Sequence, residues 1–289
     1  MIGGLAVQNN LLCVTGSMGR GHVFLYDLDA RERISTWSTP VGPSGYSDAG
    51  GVAIDARFRI YVADPSNACL RRYNAFGQHL GDVGLPLPST GDRGRDKLGV
   101  LDRPHAVACP MERLWVTAGD RPRRRGVQCF DVHGKALRSL SAQGEAGTKW
   151  AAPRGVCCDE RGLVVADTLR GRLQLFRPGG TFMQERSLPS GAAARPGAVA
   201  RLPSGAVVVV DHGGVEAALV GLAADGAQVA LPGLDGEVRD PVGLATDPRG
   251  RLLVLDEGGD RVLRWSADRG EPELLVDLSG YGDGGFSVG

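Results

Sequence analysis

Acid–base chemistry in this chain would have to come from His105, Asp211 and His212. His105 follows Pro104 at the head of an apolar run, and Asp211 and His212 close another. An imidazole titrates near neutrality, and a carboxylate beside it can orient the ring or stabilise its cation. These three are the candidate catalytic residues, and the constellation stops with them. No Gly-x-Ser-x-Gly run occurs to expose a serine nucleophile. No Gly-rich phosphate loop of the Walker or dinucleotide type stands ahead of a helix. No Cys-x-x-Cys pair occurs. Neither a cofactor nor a metal is expected.

Arginine is the other functional group in quantity. The chain has 33 basic and 33 acidic residues, and its only lysines are Lys97, Lys135 and Lys149. Guanidinium makes planar, bidentate contacts to carboxylate or phosphate. Arg121, Arg123, Arg124 and Arg125 fall within five residues, with Pro122 stiffening the run, and Arg154, Arg195 and Arg239 sit ahead of or within apolar runs elsewhere. These seven are the candidate binding residues, suited to a protein or peptide partner with acidic character. Nucleic acid is not the expected partner, because the net charge is zero and the arginine run has no stacking aromatics beside it.

The elements that must position these residues repeat six times. Each repeat starts with Gly or Pro before a short apolar run, as in Gly51-Val52-Ala53-Ile54 and Pro104-His105-Ala106-Val107. A tight turn such as Arg161-Gly162, Ser204-Gly205 or Arg249-Gly250 leads to a continuously apolar run such as Leu252-Leu253-Val254-Leu255. A third run ends at Tyr26, Tyr73, Phe130, Phe176, Leu222 or Trp265, and a polar fourth run follows. Continuous apolarity means that both faces of the second strand are covered. A β repeat of ~40–50 residues cannot bury its faces alone, but a closed ring of such units can. The expected fold is an all-β, six-bladed propeller of four-stranded antiparallel blades around a central channel. It forms one domain over 1–289, with blades at approximately 1–42, 43–97, 98–148, 149–192, 193–237 and 238–289.

The stretches Val62-Ala63-Asp64-Pro65-Ser66-Asn67 and Val165-Ala166-Asp167-Thr168, the latter followed by Arg172-Leu173-Gln174-Leu175-Phe176, resemble the NHL repeat family of six-bladed propellers. The resemblance runs over nearly the whole chain. It implies that the Asp after the second strand, present at Asp64, Asp167, Asp211 and Asp256, bonds backbone amides of the following turn. Gly16 and Ala118 stand there in the first and third blades. It also implies a functional face bearing the loops that precede the inner strands, with His22 among its residues. Some NHL domains bind RNA on that face. Peptide-amidating lyases share the fold and hold zinc with one His from each of three blades. Pro104-His105 resembles one such element, but Arg154, Gly197 and Val242 occupy matching positions and cannot bind zinc. A calcium lactonase would need amide oxygens in the channel, and only Asn67 is placed near the mouth. The near copy of the link Gly45–Gly51 over 280–285 points to closure by abutment of blade six on blade one.

Six cysteines, Cys13, Cys69, Cys109, Cys129, Cys157 and Cys158, fall in or beside expected strands and read as reduced, mostly buried thiols. No signal segment or membrane span is apparent, so the expected setting is cytoplasmic, or secreted if a signal segment has been removed. Rigid loops around a concave mouth suit recognition. The expected function is a non-catalytic scaffold that binds a protein or peptide through its loop-bearing face. The alternative is a hydrolase or lyase with a site at the channel mouth.

Overall fold

The computed structural model describes residues 2–17, 20–42, 45–85, 97–120, 125–143, 149–234 and 236–279. Arg121, Pro122, Arg123, Arg124 and the closing link copy at 280–285 lie outside them. The chain is a six-bladed all-β propeller. Each blade is a sheet of four consecutive antiparallel strands. The inner strands are Ile2–Gln8, Val52–Ile54, Pro104–Ala108, Pro153–Asp159, Pro196–Arg201 and Pro241–Thr246.

Six apolar clusters hold the ring together, one at each junction between neighbouring blades. The second strands explain how. In Leu252–Asp256 every residue is buried. Leu252 and Val254 face blade five, whereas Leu253 and Leu255 face blade one. Period-two alternation therefore becomes continuous apolarity, because each face has a neighbouring blade to meet. The cluster that joins Leu253, Leu255 and Val262 to Leu5, Leu12 and Val14 closes the ring by abutment. Cys157 and Cys158 likewise point to opposite junctions. Of the six free thiols, Cys13, Cys69 and Cys129 are buried, and the other three are half-buried. The outer strands are polar edges. Glu32–Ser38 alternates exposed and half-buried positions, and blade five has only Gln228–Val229 there.

Glycine is required where inner strands converge on the channel. A Cβ on Gly155 would lie 2.1 Å from the Gly197 carbonyl oxygen. One on Gly51 would lie 2.6 Å from the Ala106 Cα.

In the four blades that carry it, the recurring Asp latches the second strand to the link that leads into the same blade. Asp167 Oδ1 accepts the Ala151 amide at 2.7 Å, Asp211 Oδ1 the Arg195 amide at 2.7 Å, and Asp256 Oδ1 the Asp240 amide at 2.9 Å. All three amides belong to the link that precedes the blade's own inner strand. The following turn is bonded as well in two cases, through the amides of Asn67 to Asp64 and Gly213 to Asp211. The second carboxylate oxygen takes an arginine from the third strand: Arg71 Nε at 3.0 Å, Arg172 Nε at 3.2 Å and Arg261 Nε at 3.0 Å. Blade five has Ala218 opposite Asp211, and the Ser190 hydroxyl bonds that oxygen instead. These four carboxylates are at most 4 % exposed, so they hold loops and do not form part of a solvated rim.

Candidate functional site

The inner strands run in the same direction, so their N-terminal ends gather at one mouth of the channel. A cavity of about 580 Å³ opens there. Gly4, Gly51, Gly155, Gly197 and Gly243 form much of its wall, with the polar groups of His105, Arg154, Thr168, His212 and Glu257 at its rim. The lining is mostly apolar. A cavity of about 800 Å³ at the opposite end, between the C-terminal ends of the same strands, is mostly polar.

His105 is fixed from three sides. Its carbonyl accepts the Gly51 amide at 2.8 Å, which ties the Pro104–Ala108 strand to blade two. Arg154 Nη1 lies 2.8 Å from His105 Nδ1. Guanidinium has no acceptor, so Nδ1 must carry the lone pair and the proton must sit on Nε2. Nε2 in turn lies 2.8 Å from Asp120 Oδ1. That contact is off the line of a full hydrogen bond and acts mainly as charge–dipole attraction. Both atoms are buried. Asp120 also meets Arg154 Nη2 at 2.9 Å and Arg103 Nε at 3.0 Å. Burial, then the Arg154 cation, push the His105 pKa down to about 4, and Asp120 opposes them only in part. His105 is a neutral imidazole with both nitrogens engaged.

The remaining sequence candidates scatter. Asp211 is a latch. His212 is exposed on the same mouth, its Nε2 above Gly197. Arg195 curls onto its own loop, with Nη1 2.7 Å from the Ala194 carbonyl. Arg239 is exposed at the link into blade six, and its amide bonds Asp256. Arg125 reaches away from the channel, with Nη1 2.9 Å from Ser139 Oγ on the outer strand of blade three. His22 opens the third strand of blade one, level with the start of the inner strand, and pairs with Ser38 of the outer strand, 3.2 Å away. Gly21–Asp27 places it one strand from the blade's edge. Among the described residues, no cluster of three or more His, Cys, Asp or Glu side chains could hold a metal, and no helix is long and apolar enough to cross a membrane.

The sequence does not reveal that Asp120, on the loop-bearing face, pairs with His105, nor does it single out Glu257 or the exposed apolar side chains of that face. Tyr46, Leu169 and Val215 are 67 %, 55 % and 107 % exposed. Leu169 and Val215 rise from the loops of blades four and five that also carry the mouth-lining Thr168 and His212, and Tyr46 from the link into blade two, where its carbonyl accepts the Asn67 side-chain amide. The available signal was a large apolar residue inside a Gly- or Asp-rich turn, as in His212-Gly213-Gly214-Val215.

No protein-family model matches the sequence, and neither does any curated protein. Solved structures do match in fold. Virginiamycin B lyase from Staphylococcus aureus is 13 % identical with a TM-score of 0.65, over 96 % of this chain and 84 % of that one. A catalytically inactive histidine-to-alanine variant of that lyase, solved with quinupristin, is 14 % identical with a TM-score of 0.64, over 96 % of this chain and 84 % of that one. A chain of a nidogen/laminin complex is 17 % identical with a TM-score of 0.63, over 92 % of each chain. At these identities the likeness shows the propeller fold alone.

Proposed function

We propose that the chain is a non-catalytic propeller scaffold that binds a protein or peptide segment at the channel mouth. One observation carries this reading: an apolar cavity with a few convergent polar groups, on a face whose loops also expose three large apolar side chains. Binding cavities are mostly apolar with a few placed polar groups, and exposed aromatic and aliphatic anchors around a concavity are what a partner's hot spots meet. Arg154 and the exposed Arg239 favour acidic residues on the partner. The nidogen/laminin complex shows that a similar fold can take part in a protein assembly. The six free thiols favour a reducing, cytoplasmic setting.

The alternative, a hydrolase or lyase at the same mouth, draws on the His105–Asp120 pair and on the lyases of similar fold. Against it stands the Arg154 contact, which leaves His105 no lone pair with which to take a substrate proton. Selection of a displayed peptide library on the purified protein separates the two. Enriched peptides should lose at least tenfold in affinity to the Leu169→Ser/Val215→Ser variant and keep full affinity for Phe76→Ser, an exposed apolar residue in a turn at the opposite end of blade two. Peptides that bind both variants as they bind the parent protein would dismiss the mouth as the docking site.

A further inference from the structure

The face opposite the mouth carries a second candidate, at the seam where blade six meets blade one. A cavity of about 400 Å³ there is lined by Arg31, Arg249, Arg251 and Arg264, with Asp29 and Asp247 as the only carboxylates among its described lining residues. We propose that this cavity binds the phosphate group of a small phosphorylated molecule.

Charge accounting supports the assignment. Asp247 is saturated: Oδ1 accepts the Arg249 and Arg251 amides at 2.9 Å each, and Oδ2 takes Arg251 Nε at 2.7 Å. Arg264 is engaged by Glu273 from outside the cavity. Arg31 and Arg249 form no ion pair among the described residues. Counting Glu273, four guanidiniums still face three carboxylates. Burial pushes the Arg264 guanidinium below its ordinary range, and the charges of Arg251, Arg31 and Arg249 add to that push. An anion seated among them would relieve the repulsion, and the planar forks suit phosphate oxygens.

The loops that present the two unpaired arginines are rigid. Pro248 and Gly250 (φ +79°) shape the turn that carries Arg249, closed by the Gly250 amide on the Asp247 carbonyl at 2.8 Å. In blade one, the Asp27 carboxylate accepts the amides of Asp29 and Ala30 at 2.8 and 3.0 Å and the Asn10 side-chain amide at 3.1 Å. Arg31 then adopts a left-handed backbone, φ +56°, a strained conformation for a residue with a side chain and one that recurs at ligand sites. A preorganised pair of cations loses little entropy on binding.

The test uses pyrophosphate and inorganic phosphate as probes, by titration calorimetry and thermal unfolding at matched ionic strength against chloride. Both probes should bind and raise the Tm, because ligation of the native state stabilises it by mass action. Arg31→Asn/Arg249→Ser should weaken binding by about tenfold or more per arginine removed. Asparagine tolerates the left-handed backbone at position 31, and both positions are exposed, so the variant should fold. If it unfolds early in chloride, the single Arg249→Ser variant must still show the loss. Equal binding by the variant, or no heat and no Tm rise beyond chloride in the parent protein, overturns the proposal. So does a 20-nucleotide DNA strand that binds tighter than pyrophosphate through the same arginines, since the site would then serve a polyanion.

Discussion

Replacing Arg154 with Gln should raise the pKa of His105, and replacing Asp120 with Asn should lower it. In the parent protein the imidazole is held near 4 by burial and by the cation 2.8 Å from Nδ1. A unit charge at ~4 Å interacts by about 4 kcal/mol at an effective dielectric of ~20. That corresponds to about three pKa units at roughly 1.36 kcal/mol each. Asp120 contacts Arg154 and cancels part of its field, so a rise of about one to two units is expected once the cation is gone. Loss of Asp120 removes the one group that favours the imidazolium, and the pKa falls further. Nitrogen-15 and carbon-bound proton shifts of His105, followed from pH 3 to 8, give both the titration and the tautomer. The parent protein should show the Nε2–H form throughout its neutral range. An Nδ1–H ring, or a pKa that Arg154→Gln leaves unchanged or lowers, would refute the reasoning and return His105 to consideration as a base.

The same imidazole should make the fold sensitive to acid. Its folded pKa lies near 4 against an ordinary 6.5, so the unfolded chain binds more protons between those values. Stability present above pH ~6.5 is then lost as the pH falls towards 4, by about 2–3 kcal/mol. Urea midpoints for His105→Gln should show a flatter pH profile than the parent's, and parallel profiles would exclude His105 as the source. Asp167→Ala should cost about 2–3 kcal/mol, because it removes the buried partner of the Arg172 guanidinium, which then keeps only Glu185 and the Gln143 carbonyl. Asp167→Ala/Arg172→Met should recover much of that loss in urea melts with an unchanged m-value, and a double variant weaker than the single one would contradict the latch. All six thiols should react with a thiol reagent only after unfolding, since burial pushes Cys69, Cys109, Cys157 and Cys158 up to about 12. Fast reaction of any of these in the native protein would disprove their inertness.

Blade number was legible because it is written in local chemistry. Turn glycines, continuously apolar second strands and aromatic third-strand ends are each dictated within one repeat, and the ring follows from their count. The latch Asp was legible for the same reason, although its main partner is an amide sixteen residues earlier and not only the turn that follows. The candidate site was not legible. His105 lies on the inner strand of blade three, Asp120 on the loop after that blade's second strand and Arg154 on the inner strand of blade four, and only the packing of the two blades side by side brings all three together. Arg125 illustrates the same limit. Its place in a mouth-face loop was readable, but the direction of its side chain towards Ser139 was not. The NHL likeness in Val165-Ala166-Asp167-Thr168 has its own explanation, because latch, turn and strand spacing are demands of the architecture. Chains 12–17 % identical to this one share the fold.

Closure by abutment gives the two ends of the channel different physical characters. Among the described residues no strand is exchanged between blades one and six, and their junction packs through Leu5, Leu12, Val14, Leu253 and Leu255. A ring of nearest-neighbour interfaces opens first where the interface is weakest, and local opening there precedes global unfolding. The arginine cavity spans that same junction, with Arg31 on one side and Arg249, Arg251 and Arg264 on the other. Its like charges push the two blades apart when empty, and an anion bound between them would pull them together. The mouth works differently, because Arg154 of blade four is already paired with Asp120 and His105 of blade three before any ligand arrives. Ligation of the seam would therefore stabilise the ring, whereas ligation of the mouth would use a surface already fixed. Hydrogen exchange distinguishes the two: pyrophosphate should slow exchange in Leu11–Ser17 and Leu252–Asp256 selectively, and a mouth-binding peptide should leave those strands unchanged.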